Sequence, residues 1–259
     1  MINYLIIIPI HTFDETVKEL LGKAIQSVNI TNCLIRLSTT KEIAMRQDFK
    51  DFKNSYKSMD VVYQDNDEND TTFSTLVNQA VDENYEWFSI LEFDDEYTPI
   101  WFKNVERYLD VDQDYDILLP LVNLINYKTK KFNGFGNEPV WASSFSNEIG
   151  YVDSDCLKDF FSFYPTGGVF KTSTWLELGG LKKIDLSFWY ELFLRYTKNN
   201  KKIFVIPRIG YKHYMKRDGS LLSIYEETMT QEDSEKLFKQ AKKECKTIIK
   251  PKYKNIVKE

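Results

Sequence analysis

The sequence predicts an α/β domain built on a largely parallel sheet. Three observations carry that expectation. The chain opens on a continuous β-branched apolar run, YLIIIPI, of the kind a central parallel strand requires. Extended apolar runs then alternate with amphipathic, helix-patterned segments at the spacing of βαβ units. The fourth of those runs stops abruptly in Glu92-Phe93-Asp94-Asp95-Glu96, an expensive place for four carboxylates unless positive charge is expected there.

Taken in order, the first strand (4–10) is followed by HTFDETVKELLGKAIQSV, where Thr12 to Glu15 reads as a capping box opening an amphipathic helix. NCLIRLS (32–38) is a second strand and leads into a charged helical segment through residue 58. MDVVYQD (59–65) is a third strand, NDENDTT a polar acidic loop, and FSTLVNQAVDEN a helix. YEWFSILEF (85–93) is a fourth strand ending in the carboxylates. After Pro99 come a helix, WFKNVERYLD, and a fifth strand, YDILLPLVNLINY (115–127).

Residues 128–165, rich in Asn, Ser, Gly and aromatics, read as irregular surface. YPTGGVFKTSTWLELGGL restores a short strand and a helix, LSFWYELFLRYTKNN is a helix, and KKIFVIPRIGYKHY a closing strand pair. From about residue 226 the chain reads as a lysine-laden helix with a frayed basic tail. The expected organisation is one domain over 1–222 and a C-terminal basic helical extension over 223–259.

With 259 residues the chain can bury a full core, and 42% hydrophobic content fits a globular class. Aromatic residues make up 15%, most of which core packing would absorb. A net charge of −5 excludes a whole-molecule nucleic-acid footprint. Cys33, Cys156 and Cys245 are odd in number and far apart, forming neither a disulfide framework nor a zinc pattern. The opening apolar run is too short to span a bilayer and has no basic flank, so a cytoplasmic protein is expected.

In open α/β sheets ligands sit beyond the carboxyl ends of the strands. Three polar features fall there: the Thr12 helix start, the acidic loop after the third strand, and the Glu92–Glu96 cluster. The first offers free backbone N–H groups to an anion, or simply begins a helix. In the third, Glu92 and Asp94 stand two apart, which on extended backbone puts both carboxylates on one side. Oxygen ligands of that kind suit Mg²⁺ or Mn²⁺ completed by substrate phosphates. The bland alternative is a solvated acidic turn before a helix whose dipole favours negative charge.

LVNQAVDENYEWFSILEFDDEYTPIWF resembles the central segment of the family-two glycosyltransferases of GT-A fold, where a helix Asn precedes a strand ending in an Asp-x-Asp metal motif. PTGGVFKTSTWLELGGL, YELFLRY and VIPRIGYKHYMKRDGSL resemble, in order, that family's Gly-Gly segment, its Leu-x-x-Arg helix and its terminal basic stretch. The resemblance covers about residues 1–222. It implies a GT-A-type open sheet with helices on both faces, a Mn²⁺ or Mg²⁺ cofactor, a nucleotide-diphosphate sugar donor and a glycan or other hydroxyl acceptor. By position it implies donor contacts from Pro9, His11, Thr12, Asp65, Asn78, Glu92, Gly167 and Gly168, and metal contacts from Asp94, Asp95 and His213. For His213, an ordinary exposed histidine is the competing reading.

Two departures stand out. Leu37-Ser38-Thr39-Thr40 replaces the family's acidic turn that holds the nucleotide base. Phe188-Trp189 occupies the place of the Glu-Asp pair that carries the catalytic base. The replacement candidates are Asp185, equally suited to a cap, and Glu191, equally suited to an i,i+4 pair with Arg195. Two functions therefore compete: an inverting, metal-dependent glycosyltransferase, and a GT-A-like module that binds a sugar nucleotide or glycan without turnover. The C-terminal basic helix has two readings as well, a peripheral membrane contact or a solvated face packed on the domain.

Overall fold

A computed structural model describes residues 2–56, 58–65, 70–111, 114–184, 186–217, 229–253 and 255–259. Along the chain the elements begin β1 (Tyr4–Pro9), α1 (Glu15–Ser27), β2 (Cys33–Ser38), α2 (Lys41–Met45), α3 (Gln47–Asn54), β3 (Met59–Gln64) and α4 (Phe73–Ala80). Next come β4 (Trp87–Ile90), β5 (Glu96–Tyr97), α5 (Trp101–Val111), β6 (Ile117–Asn126), β7 (Phe132–Gly136) and α6 (Cys156–Asp159). The remainder is β8 (Val169–Lys171), α7 (Thr172–Leu178), α8 (Phe188–Lys198), β9 (Ile203–Met215), α9 (Gln231–Glu244) and β10 (Ile256–Lys258).

These elements form two compact units. The first comprises residues 1–99, 166–183 and 249–259, the second residues 100–165 and 184–248. The sequence-expected boundary at 222 lies outside the described residues, as do residues 66–69 of the acidic loop 66–72 and the Gly219-Ser220-Leu221 stretch.

In the first unit β1 runs parallel to both β2 and β4, and β2 runs parallel to β3. Two antiparallel strands flank this core, β8 on β4 and β10 on β3. The strand order is therefore β10-β3-β2-β1-β4-β8. Every residue of β1 is buried, which is why its pattern is a continuous apolar run and not an alternation. Helix α4 packs on β1, β2 and β3 through Leu76, Val77 and Ala80.

The tail expected to fray is an edge strand instead. Val61 and Glu259 exchange both backbone hydrogen bonds at 2.9 Å, and Lys258 bonds the buried Asp82 at 2.6 Å. The signal for β10, three residues of NIVKE, is too short to read from periodicity.

In the second unit β6 pairs with β7 antiparallel and with β9 parallel. KKIFVIPRIGYKHY forms one thirteen-residue strand, not the expected pair. Its register against β6 shifts between Leu119 and Val122, where Pro120 and the nearby Pro207 supply no N–H to the ladder. Helix α9 faces the same unit: the Phe238 ring lies 3.9 Å from Phe161 and 5.4 Å from Tyr190. Among the described residues no helix is long and apolar enough to cross a membrane.

Candidate active site

The first unit contains a topological switch point. The chain steps outward from β1 to β2 to β3, then returns to place β4 on the other flank of β1. Connections on opposite sides open a crevice beyond the carboxyl ends of the two central strands. Pro9 ends β1 and is buried, whereas His11 and Thr12 just beyond it are exposed. On the neighbouring strand Leu91 N–H bonds the Ile7 carbonyl at 2.9 Å, and Glu92 follows immediately. The two strand ends meet at the rings of His11 and Phe93, 5.4 Å apart.

The carboxylate geometry differs from the extended-strand expectation. β4 stops at Ile90, and the backbone turns over residues 92–95 with Asp95 N–H bonded to the Glu92 carbonyl at 3.1 Å. That turn brings residue i next to i+3. The side chains that converge are Glu92 and Asp95, with carboxylate oxygens within 4.8 Å of each other. Asp95 is buried, at 1% exposure, while Glu92 and Asp94 are half-buried. Two hard oxygen donors so placed suit a divalent cation.

Hydrogen bonds fix this loop from behind. Tyr97 N–H donates to Ser27 Oγ at 3.0 Å, at the end of α1. The Tyr97 hydroxyl lies 2.7 Å from Ser89 Oγ, and Ser89 Oγ donates to the Gly168 carbonyl at 2.6 Å. Burial pushes the Tyr97 hydroxyl well above the usual tyrosine range, so it stays protonated. Gly167, at φ 78°, donates its N–H to the Ile90 carbonyl at 2.8 Å. The expected donor contacts Gly167 and Gly168 thus lie against the end of β4, two residues before Glu92.

Other expected residues have different surroundings. The N-cap of α1 is Asp14, whose Oδ1 accepts from Val17 N–H at 2.8 Å, so Thr12 is not the cap. A carboxylate already serves that helix end, which answers the anion-site expectation there. Asn78 holds the second Gly-Gly turn: its Nδ2 donates to the Leu181 carbonyl at 2.7 Å and its Oδ1 accepts from Leu181 N–H at 2.9 Å. A Cβ on Gly180 would fall 2.2 Å from that Oδ1, at a φ of +66°. Asp65 is half-exposed and pairs with Lys41 at 2.6 Å.

Glu191 takes the alternative its spacing allowed. Arg195 grips it in a bidentate pair, Nε to Oε1 at 2.8 Å and Nη2 to Oε2 at 2.7 Å, with both side chains at zero exposure. His213 lies on β9 of the second unit, half-buried, its ring 5.6 Å from Tyr164. Asp185 lies outside the described residues.

The sequence reading missed two polar networks. At the end of β2, Gln79 Nε2 donates to Ser38 Oγ at 2.9 Å and to the Thr39 carbonyl at 3.0 Å, while Gln64 bonds Gln79 at 3.1 Å. Buried hydroxyls and amides thus fill the place of the family's acidic turn. Before α4, Asp70 accepts from Thr72 N–H at 2.9 Å and Thr75 Oγ1 at 2.8 Å, and pairs with Lys183. Burial pushes that carboxyl up, but Lys183 and the Thr72 and Thr75 donors outweigh it and hold it well below the usual range. The Asp-x-Thr spacing was its readable signal.

Comparison with solved structures gives the same fold. The chain superposes on residues 1–349 of Staphylococcus aureus TarS in complex with UDP-GlcNAc at a TM-score of 0.66 and 14% identity, over 94% of this chain and 66% of that one. The complex of TarS with UDP gives 0.63 and 12%, over 94% and 65%. A further TarS crystal structure gives 0.55 and 15%, over 94% of this chain and 43% of that one. The chain has the GT-A-type α/β fold. It spans from 43% to 66% of the length of these three chains. No family model and no curated protein sequence matches it.

Proposed function

We propose that this chain is a metal-dependent glycosyltransferase that moves a sugar from a nucleotide-diphosphate donor to an acceptor hydroxyl, with inversion. The observation that carries the proposal is the convergence of Glu92 and Asp95 within 4.8 Å beside the β1–β4 switch point. Carboxylate oxygens converging at that distance are the hard donors that Mn²⁺ or Mg²⁺ takes. The fold shared with a protein crystallised with UDP-GlcNAc and with UDP supports a uridine diphosphate donor.

On this reading Glu92 and Asp95 hold Mn²⁺ or Mg²⁺, with Asp94 adjoining and His213 added by the family resemblance. When bound, the cation neutralises charge on the departing diphosphate. The chain's own residues do the rest. Ser89 and Tyr97 keep the carboxylate loop in place, and Gly167 and Gly168 let donor approach the end of β4 closely. His11 and Thr12 border the same crevice from β1. Of the base candidates, Glu191 is held by Arg195, which leaves Asp185 as the candidate to test for removal of the acceptor proton.

A second reading has its own support: Phe188-Trp189 stands in the base position and Glu191 is sealed, as a binding module without turnover would have it. Release of nucleotide from a panel of sugar nucleotides, with and without Mn²⁺, separates the two. The expected result is Mn²⁺-dependent turnover that Asp95→Asn lowers at least a hundredfold and Asp185→Asn lowers without weakening UDP binding. Tight Mn²⁺-dependent UDP binding with no turnover on any donor establishes the binding module. An absence of Mn²⁺-dependent nucleotide binding refutes both.

A further inference from the structure

The hairpin joining β6 to β7 is a strongly biased surface of the second unit. Between Asn126 and Gly136 the sequence NYKTKKFNGFG carries three lysines and no carboxylate. Helix α9, read from sequence as the basic feature, is neutral by comparison. Its lysines 236, 239, 242 and 243 are matched by Glu232, Asp233, Glu235 and Glu244. Two of those lysines are paired within the helix, Lys236 with Glu232 at 2.9 Å and Lys239 with Glu235 at 3.9 Å. Its aromatic residue, Phe238, packs on Phe161 and Tyr190.

The hairpin does the reverse with its aromatic residues. Phe132 is 58% exposed and Phe135 43%, their rings 4.9 Å apart. Phe132 stands opposite Ile125 on β6, and Ile125 stands opposite Tyr214 on β9. Cross-strand partners share a face, so these three side chains form one row. The Lys130 ammonium lies over the Tyr127 ring at 4.0 Å and the Tyr214 ring at 5.4 Å, so a cation borders the apolar row.

The turn that presents this row is held by its own hydrogen bonds. Lys130 N–H bonds the Asn126 carbonyl at 2.8 Å, Asn126 N–H bonds the Lys131 carbonyl at 2.9 Å, and Thr129 N–H bonds Asn126 Oδ1 at 2.9 Å. Lys130 adopts φ 56°, which closes the loop. The projection is therefore ordered in the absence of any partner.

We infer that the β6–β7 hairpin docks on an anionic lipid bilayer, with Phe132 and Phe135 entering the interface and Lys128, Lys130 and Lys131 meeting the headgroups. Charge complementarity selects an anionic occupant, and clustered lysines near a membrane add their attraction one by one. The exposed phenyl pair selects a bilayer over a soluble polyanion: a phenyl ring has no hydrogen-bonding group to offer, and its gain comes from leaving water. Rings flanked by lysines that keep their ammonium groups in water is the arrangement an interface favours.

The test is co-sedimentation of the full chain with vesicles of phosphatidylcholine alone and with about a third phosphatidylglycerol, at physiological salt. The expected result is partition onto the anionic vesicles only. The triple variant Lys128→Glu/Lys130→Glu/Lys131→Glu and the double variant Phe132→Ser/Phe135→Ser each lower it at least tenfold, with unchanged thermal unfolding. Lys236→Glu/Lys239→Glu on α9 leaves it unchanged. The inference is overturned if the parent chain ignores anionic vesicles, or if the α9 variant is the one that loses binding. It is equally overturned if the phenylalanine variant binds normally while the lysine variant loses vesicles and soluble polyphosphate alike, which would make the hairpin a polyanion site.

Discussion

Glu191 and Glu92 are both acidic residues that a sequence reader would offer to catalysis, and the fold treats them in opposite ways. Glu191 sits on α8 at zero exposure with its cation supplied by the chain, Arg195, through two hydrogen bonds. Glu92 sits half-buried at a strand end where the chain brings it a second carboxylate, Asp95. A carboxylate matched to a guanidinium one helical turn away is finished structure. A carboxylate set within 4.8 Å of another offers the paired oxygen donors that a divalent cation would take. What separates the two acids is therefore what the backbone places beside each, not the residue type.

The sharpest way to break the comparison is to remove one partner from the finished pair. Arg195→Met leaves Glu191 fully buried without its guanidinium, and costs about 3–5 kcal/mol in chemical unfolding. Restoring neutrality with Glu191→Leu in the same chain recovers most of that loss, because two packed apolar side chains replace two desolvated charges. If Arg195→Met unfolds with parental stability, the pair is not what holds α8 in place.

The same experiment on the other side gives a different signature. Glu92→Gln alters stability little in the absence of divalent cation. On the proposed function, what it is expected to remove is the added stability from Mn²⁺ and UDP together. For a site filled at a hundred times its dissociation constant that gain is about 2.7 kcal/mol, read as a shift in the thermal midpoint. A variant that still gains the full shift would remove Glu92 from the site.

How far the sequence revealed this follows from the same distinction. The central strand β1 was legible because burial on both faces leaves a continuous apolar run, and YLIIIPI admits little else. The carboxylate cluster was legible as a strand end, but its geometry was not. An i,i+2 reading assumed extended backbone, and the turn at 92–95 pairs i with i+3. Asn78 was legible as a helix asparagine, yet its commitment to Leu181, 103 positions away in the chain, is tertiary and leaves no local trace. The edge strand β10 was lost for the same reason: its hydrogen bonds go to β3, nearly two hundred residues earlier, and so does the Tyr63 hydroxyl bond to Glu259 at 3.0 Å.

Asp82 extends the comparison to a carboxylate finished by two cations, and its effect is the smallest expected here. Arg36 Nη1 lies 3.1 Å from Asp82 Oδ2 and Lys258 Nζ 2.6 Å from the same oxygen, while Asn84 N–H reaches Oδ1 at 3.2 Å. Burial pushes this carboxyl up, but Lys258, Asn84 and Arg36 outweigh it and hold it well below the usual range. An aspartate in the unfolded chain titrates at about 3.9. Above that value both states are ionised and the full stabilisation stands. As pH falls, the unfolded chain takes up its proton first, so the contribution shrinks from about pH 5 downward and is gone below the folded value. Asp82→Asn should therefore cost about 1.5 kcal/mol at pH 7 and flatten the acid limb of the stability curve. Because Lys258 makes the largest contribution against burial and belongs to β10, Lys258→Met should flatten the same limb in part. A parental acid limb in Asp82→Asn would mean that its low titration does not contribute to folding.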